Sequence, residues 1–331
     1  MDGVERFRDR SVTLAGVVGR NVEIPSANPV NYHQAINDPG GCEPLLADGK
    51  LFLPRADGPL PVVMVVPGSL GVGESHLGHA ETLLKAGYAA FVLDPFGPRS
   101  VVSTVANQTH YSFAASAFDV LATLRVLADH DTIDADRISA QGHSRGGSAV
   151  LTAAVRSFAD PIVGNRLALA GVYAVYPWCG HQFAHPDVGP TRVRAIVGDQ
   201  DDWLSVQQVQ SQVQAINLTG GEASIRVVGG ASHSFDRSEE LHEIPEASVA
   251  PGAPTTYIDD AGSMIDSLTG GPDASITDRD MFMAAIDAGK GRLGAHIGSI
   301  GAQPEIFRQD MLAFHASVLG GPSGDGVGLC L

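Results

Sequence analysis

One serine of this 331-residue sequence lies in a glycine-rich turn of the kind that presents a nucleophile. Ser144 stands in Gly-His-Ser-Arg-Gly, between a short apolar run that reaches Gly142 and a helix-like stretch that follows Gly146. A G-x-S-x-G pattern between a strand and a helix is typical of a nucleophile elbow, a strained turn that lifts the hydroxyl out of a sheet. Because the chain contains 39 glycines, the bare pattern also arises by chance and needs support from other residues.

A serine hydroxyl is a weak nucleophile at neutral pH and needs a histidine base that is oriented by a carboxylate. Two later loops, each of which follows a predicted strand, contain such residues: one has Asp199, Asp201 and Asp202, and the other has His233. Taken alone, such an aspartate usually forms a turn or caps a helix, and a loop histidine is usually solvated. The order serine, aspartate, histidine predicts attack on an ester carbonyl, with His233 passing the proton to the leaving alcohol.

The negative charge that forms on the carbonyl oxygen needs two amide donors. We expect one from Arg145, which follows the nucleophile, and one from Ser69, in the loop at residues 67–73 after the first buried strand. A flexible phosphate-binding loop is the alternative interpretation of that segment. It lacks the Gly-Lys-Ser/Thr ending of a P-loop and the G-x-G-x-x-G spacing of a dinucleotide fold, which favours the oxyanion role.

Alternating strands and helices must position these residues. Continuous apolar runs predict buried strands, and apolar residues at helical spacing predict helices with one buried face. The expected strands are at residues 62–66, 89–93, 137–142, 167–176, 193–197 and 224–228, and the expected helices are at 75–86, 113–128 and 205–216. This alternation predicts an α/β fold with a mostly parallel sheet and helices on both faces, so that loops after the strands meet at its carboxyl edge.

The remaining segments are interpreted as parts of a single domain that spans residues 1–331. Residues 1–50 form an N-terminal extension, with a strand or hairpin at 11–25 and an irregular loop at 28–49 that is rich in Pro, Asn, Asp and Gly. Residues 237–302 are too long for a plain connection and are read as an insertion or lid near the C-terminus. A closing helix is expected within 303–320, followed by a loose tail at 320–331.

Five segments resemble the dienelactone hydrolase branch of the α/β-hydrolases, over about residues 45–236 and the closing helix. They are Pro-Gly-Ser-Leu-Gly, Asp-Pro-Phe-Gly-Pro-Arg, Gly-His-Ser-Arg-Gly-Gly, Gly-Asp-Gln-Asp-Asp-Trp and Ser-His-Ser-Phe. The resemblance implies an α/β-hydrolase fold, and its Gly-x-x-Asp and His-x-Phe patterns select Asp201 and His233. Ser144 stands where dienelactone hydrolases carry a cysteine, and Gly68 where they carry a glutamate. The resemblance therefore implies a serine esterase relative, without the lactone substrate.

Side chains near the carboxyl edge of the sheet are candidates for substrate binding: Leu70, Arg99, His143, Tyr176, Trp178 and Phe235. We expect Arg99 to brace its loop by pairing with an acid rather than to hold a substrate carboxylate, and aromatic residues at a sheet end are as often core. His181 and His185 are four residues apart but have no clear third ligand, so we expect neither a metal nor any other cofactor. Cys179 is expected to be packing.

Composition limits the partners and the compartment. A formal net charge of -16 argues against nucleic acid or an anionic membrane surface as partner. The start of the sequence has no signal-like apolar run, and three cysteines (Cys42, Cys179 and Cys330) fit a reducing cytoplasm. The expected partner is a small-molecule ester, and the sequence also allows a homo-oligomer. The alternatives are amide, thioester or polyester cleavage, acyl transfer by the same residues, or a non-catalytic ligand-binding scaffold.

Overall fold

The computed structural model describes residues 6–266 and 269–321, so most of the expected tail, Cys330 included, lies outside the described residues. The helices are α1 Tyr32–Asn37, α2 Glu74–Lys85, α3 Phe113–Ala128, α4 Arg145–Ala154, α5 Arg156–Val163, α6 Val206–Leu218, α7 Asp278–Asp287 and α8 Gln303–Leu319. None of the described helices combines the length and the apolar character needed to span a membrane.

The strands range from two to eleven residues, and the longest lie in the central sheet. They are β1 Thr13–Leu14, β2 Val17–Val18, β3 Arg20–Asn28, β4 Glu43–Phe52, β5 Leu60–Val66, β6 Ala89–Asp94, β7 Ile133–His143, β8 Gly171–Val175, β9 His181–Phe183, β10 Arg192–Gly198, β11 Ala223–Val228, β12 His242–Val249, β13 Thr256–Ile258, β14 Met264–Ile265, β15 Pro272–Asp273 and β16 Arg292–Ile297.

Eight of these strands form one sheet in the order β11-β10-β8-β7-β5-β6-β4-β3. The strands from β11 to β6 run parallel, while β4 pairs antiparallel with both β6 and β3. Every residue of β5, β6 and β8 is buried, because side chains on both faces of these strands are covered. The predicted α/β-hydrolase fold with a mostly parallel sheet is confirmed.

Most of the elements predicted by periodicity are confirmed within one or two residues at each end. The helix expected at residues 113–128 is α3, and the strands expected at 62–66 and 89–93 lie within β5 and β6. In each case a long apolar pattern coincides with burial in the common core. Such patterns are reliable because burial of apolar surface is the largest favourable term in folding.

The interpretation of residues 28–49 as an irregular loop is wrong. The side chain of Asn31 accepts a hydrogen bond from the Gln34 amide at the start of α1, and β4 pairs with β3 and with β6. The turn-forming residues of this segment favour a loop locally, but main-chain pairing with two neighbouring strands outweighs that preference. The N-terminal residues therefore complete one edge of the main sheet.

Residues 237–302 form small sheets and one helix next to the carboxyl edge of the main sheet. β12 pairs antiparallel with β16, and β9, β13, β14 and β15 form a second small sheet. Buried residues of β12 and β16 share an apolar cluster with Trp203 and Val105. Because Trp203 follows the loop with three aspartates, this packing places residues 237–302, the predicted insertion, beside the predicted acid and base.

Candidate active site

The strand β7 and the helix α4 meet in a sharp turn at Ser144. This residue has φ 53° and ψ −115°, a backbone conformation that costs free energy for a residue with a side chain. A Cβ on Gly142 would overlap the carbonyl group of Gly146, and a Cβ on Gly146 would lie 2.5 Å from the carbonyl oxygen of Val66. The elbow therefore requires glycine at both positions.

Replacing Gly142 with alanine is expected to lower the free energy of unfolding by about 3 kcal/mol, because the added methyl group meets the backbone of a buried helix. Urea unfolding followed by circular dichroism measures the change. Gly78→Ala is the matched control, since Gly78 is exposed on α2 and an added Cβ meets nothing within 4 Å. Equal stability of the two variants would contradict this steric account of the elbow.

His233 lies between Ser144 and Asp201. Its Nε2 is 2.9 Å from Ser144 Oγ, and its Nδ1 is 2.7 Å from Asp201 Oδ2. Asp201 Oδ1 accepts hydrogen bonds from the backbone amides of Trp203 at 2.9 Å and Leu204 at 3.3 Å. The side chains of His233 and Asp201 are 3% and 0% exposed. A carboxylate that accepts Nδ1–H leaves Nε2 as the acceptor for the serine proton.

The other two aspartates of the loop have different partners. Asp199 Oδ1 accepts a hydrogen bond from the Gly230 amide at 2.7 Å, which ties the loop to the one that carries the histidine. Asp202 accepts a hydrogen bond from the His296 amide at 2.9 Å, and its second oxygen lies 2.9 Å from His296 Nδ1. Asp199 thus joins the two loops, and Asp202 holds the inserted strand β16.

Two aromatic rings enclose the imidazole of His233. Trp203 stacks on it with ring centroids 5.1 Å apart and an interplanar angle of 19°, and the Trp203 indole N–H donates to the His296 carbonyl at 2.8 Å. The centroid of the Tyr176 ring lies 4.5 Å from the centroid of the imidazole. Sequence reasoning missed the role of Trp203, although the residue directly follows the aspartate cluster. Together the two rings hold the imidazole plane in place.

The loop after β5 lies against the elbow. A Cβ on Gly68 would be 3.2 Å from Ser144 Cβ, so the loop backbone passes directly beside the serine. The Ser69 carbonyl accepts hydrogen bonds from the Thr104 amide and the Ser103 hydroxyl, which fixes the peptide next to the predicted donor. Ser69 lines the same cavity as Ser144 and Arg145.

Three hydrogen bonds hold the side chain of Arg145. Its guanidinium donates hydrogen bonds to the Gln108 carbonyl at 2.8 Å, to the Tyr111 carbonyl at 2.6 Å and to Ser116 Oγ at 3.1 Å. The guanidinium carbon also lies 4.1 Å from the centroid of the Phe113 ring. These contacts anchor the first turn of α4, whose N-terminal amides favour negative charge.

A cavity of about 260 Å³ opens beside Ser144 and His233. The sheet side contributes Ser69, Arg145 and Trp178. The inserted segment covers the other side with mostly apolar residues: Val249, Ala250, Ala253, Pro254, Ile265, Met281, Phe282, Ala284, Ala285 and Ala288. Five of these belong to α7 or the residue after it, so this helix forms much of the cover.

The predicted pocket residues separate into two groups. Trp178 lines the large cavity, as does His181. Leu70, His143 and Tyr176 line a small cavity of about 20 Å³ that Ser144 and His233 also line, and Phe235 is buried against Phe307. The substrate-binding role of Leu70, His143 and Tyr176 stays a prediction, whereas Phe235 is fully buried and lines neither of these two cavities.

Arg99 braces its loop, as expected. Its guanidinium forms a buried ion pair with Asp119 at 2.6 Å and donates to Asn28 Oδ1 at 2.7 Å. The two histidines considered for a metal do not converge. His181 Nδ1 hydrogen-bonds with the Tyr32 hydroxyl at 3.3 Å, whereas the exposed side chain of His185 faces Asp260.

A buried polar network lies beneath the elbow and was not predicted. The Tyr176 hydroxyl donates to Asp236 Oδ1 at 2.6 Å and lies 3.0 Å from His143 Nδ1, and His79 Nε2 lies 2.6 Å from Asp236 Oδ2. Burial lowers the pKa of His143, so its imidazole is neutral. Ligand atoms of His79, His143 and Asp236 are close enough for a metal, but each already has a hydrogen-bond partner.

Comparison with known proteins finds matches that are described as hydrolases. Residues 47–251 match the model of the dienelactone hydrolase family. A relative from Bradyrhizobium sp., described as a probable 2-oxo-3-(5-oxofuran-2-ylidene)propanoate lactonase, is 24% identical over 196 residues, which cover 56% of this chain and 77% of the relative.

Solved structures resemble the chain at low sequence identity. The structure named m3DLH aligns with a TM-score of 0.51 and 17% identity, over 82% of this chain and 95% of that chain. EstE1, a thermostable carboxylesterase cloned from a metagenomic library, aligns with a TM-score of 0.45 and 16% identity, over 69% of this chain and 83% of that chain. At such identities the structural likeness concerns the fold alone.

Proposed function

The chain belongs to the dienelactone hydrolase family and is a hydrolase, and from this premise we propose that it cleaves neutral carboxylic esters with Ser144 as its nucleophile. One observation supports the proposal most: the hydrogen-bonded series Ser144, His233 and Asp201, with distances of 2.9 and 2.7 Å, which opens into a covered cavity. A nucleophile, a base and an orienting acid in this order are what acyl transfer to serine requires.

In the proposed reaction, His233 Nε2 takes the proton of Ser144 Oγ as this oxygen attacks the ester carbonyl carbon. Asp201 stabilises the imidazolium through Nδ1–H, and the backbone amides of Ser69 and Arg145 stabilise the oxyanion. His233 then protonates the leaving alcohol as the C–O bond breaks. His233 then takes a proton from water as the water oxygen attacks the acyl carbon. The bond from that carbon to Ser144 Oγ breaks, His233 returns the proton to Oγ, and the acid leaves.

The charges around the cavity favour a neutral substrate. Arg99 is paired with Asp119, and the guanidinium of Arg145, which lines the cavity, donates hydrogen bonds to two backbone carbonyls and a hydroxyl. A carboxylate, Asp278, also lines the cavity. Asp278 offsets the charge of Arg145, so a substrate anion would add an uncompensated negative charge to the cavity, which costs free energy. We therefore propose neutral esters, in contrast to the propanoate lactone for which the Bradyrhizobium relative is described.

The substrate class is tested by kcat/KM on matched esters. Methyl heptanoate is expected to be hydrolysed at least about tenfold more efficiently than the monomethyl ester of adipic acid, which places a carboxylate at the end of a chain of similar length. The heptanoyl anilide measures amide cleavage in the same assay. Preference for the anionic ester would contradict the proposed substrate class, and failure of every ester together with no labelling by a fluorophosphonate probe would favour a ligand-binding scaffold.

A further inference from the structure

The side chain of Tyr176 contacts the loop that carries the histidine base at two points. Its ring lies beside the imidazole of His233, with centroids 4.5 Å apart and an angle of 56° between the ring planes. Its hydroxyl donates a hydrogen bond to Asp236 Oδ1 at 2.6 Å, three residues further along the same loop. One side chain therefore joins the start and the end of the segment at residues 233–236.

The hydroxyl of Tyr176 is held by an ionised acceptor in the protein interior. The side chain of Asp236 is 0% exposed, and its Oδ2 lies 2.6 Å from His79 Nε2. Burial raises the pKa of the Asp236 carboxyl, but its contacts, of which the hydrogen bond with His79 is the largest, lower that pKa by more. Burial raises the pKa of the Tyr176 phenol, so the phenol keeps its proton and donates it to the carboxylate. Such a charge-assisted hydrogen bond is stronger than one between neutral groups.

The backbone on both sides of this contact is strained. Tyr176 has φ 35°, which is unfavourable for a residue with a large side chain, and Ser234, which follows His233, has φ 57°. The Tyr176 amide donates to the Ile196 carbonyl at 2.6 Å, which ties the end of β8 to β10. Strain of this kind persists only where the surrounding contacts impose it, and it is typical of positions at which the direction of a side chain matters for function.

We propose that Tyr176 is a positioning residue for His233, held in place by its hydrogen bond to Asp236. This inference rests on the proposed function. In each proton transfer of that reaction, His233 Nε2 must lie within about 3.2 Å of the oxygen that gives or takes the proton. The hydrogen bond from Nδ1 to Asp201 fixes one atom of the imidazole, about which the ring can still turn. The ring of Tyr176 restricts that movement and keeps Nε2 in line with Ser144 Oγ.

The variant Tyr176→Phe tests the proposal, because it removes the hydroxyl and keeps the ring. We expect the second-order rate of fluorophosphonate labelling and kcat on methyl heptanoate to fall by about tenfold or more, since a small displacement of a catalytic group is costly. KM should stay within about twofold of the wild-type value, because a phenyl ring still fills the same space beside Ser144. Labelling reports the reactivity of Ser144 without an ester, so it measures activation of the nucleophile directly.

Tyr173→Phe is the matched control. Tyr173 lies three residues earlier, in β8, and its hydroxyl donates to the carboxylate of Asp310 at 2.9 Å. Both tyrosines are almost completely buried, but the ring of Tyr173 stacks with Phe314 of α8 and not with His233. Each variant loses one buried hydrogen bond from tyrosine to aspartate, so both should unfold at lower urea concentration. The labelling rate of Tyr173→Phe should nevertheless stay within about twofold of the wild-type rate.

A second variant, Asp236→Leu, tests whether the carboxylate acts through Tyr176. Its labelling rate should fall about as far as that of Tyr176→Phe. The double variant should be no slower than the slower of the two single variants, because both changes break the same hydrogen bond. Losses that multiply in the double variant would mean that Asp236 acts through another group, which would overturn its assigned role.

Three further outcomes would overturn the inference: a labelling rate of Tyr176→Phe within about twofold of the wild-type rate, an equal loss of rate in Tyr173→Phe, or an effect of Tyr176→Phe on KM alone. If Tyr176→Phe does not fold, the labelling rate of Asp236→Leu decides. Failure of ester hydrolysis alone leaves this test intact, because the labelling rates are measured without an ester. If the probe does not label the wild-type protein, Ser144 is not an activated nucleophile, and the positioning role is refuted together with the proposed function.

Discussion

Replacing Ser144 with alanine is expected to lower kcat for ester hydrolysis by about 10⁴-fold or more while the protein remains folded. The hydroxyl is the attacking group, and its hydrogen-bond partner in the proposed reaction is His233 Nε2 at 2.9 Å. Without it, the oxyanion donors and the cavity still bind the ester, so a small residual rate over water remains. Steady-state kinetics on methyl heptanoate measure the loss.

The matched control for that variant is Ser148→Ala, one turn further along α4. Ser148 Oγ donates to the Trp178 carbonyl at 2.6 Å and has no part in the proposed reaction. A fluorophosphonate probe should label the wild-type protein and Ser148→Ala, and should leave Ser144→Ala unlabelled. Ester turnover by Ser144→Ala at a rate near that of the wild-type protein would refute the assignment of the nucleophile.

Replacing Asp201 with asparagine is expected to lower kcat by about 10⁴-fold, through the tautomer of His233. Oδ1 of Asp201 accepts two backbone amides, so the asparagine oxygen stays at that position and its NH₂ group faces His233 Nδ1. Nδ1 must then accept a hydrogen bond, and the proton moves to Nε2, which can no longer take the proton of Ser144. Steady-state kinetics over a range of pH measure the effect.

The same loop provides two control variants for this prediction. Asp199→Asn and Asp202→Asn change equally charged neighbours whose carboxylates bind Gly230 and His296 instead of the histidine. Their kcat values should stay within about tenfold of the wild-type value, since each loses only a hydrogen bond that holds loops together. If either control fell as far as Asp201→Asn, net charge or loop order would explain the loss better than the tautomer.

The fold could be predicted from the sequence where long patterns coincide with burial. The apolar run in β5 and the helical spacing in α3 are examples, because both elements are buried over most of their length. The segment at residues 28–49 could not be predicted in this way. Its strand β4 is stabilised by pairing with β3 and with β6. Both partners are separated from β4 in the sequence, so the local residue pattern does not reveal the strand.

The pocket was the least predictable part of the site. Tyr176 and Phe235 follow strands that end at the correct edge of the sheet, but the backbone directs both side chains into the interior. Much of the cover of the cavity comes from α7, and the sequence of this helix does not indicate what it faces. Side-chain direction and the docking of a distant helix depend on packing, which composition does not reveal.

By itself, the sequence determined the parallel strands of the central sheet and the elbow around Ser144, because each depends on a local pattern of apolar residues or glycines. The resemblance selected Asp201, whereas only the tertiary structure decided the partners of Asp199 and Asp202 and the side chains that line the cavity. The tertiary structure also brought Asp278 to the Phe113 amide across 165 residues of chain. These contacts join segments that are far apart in the chain, so only the packed fold brings them together.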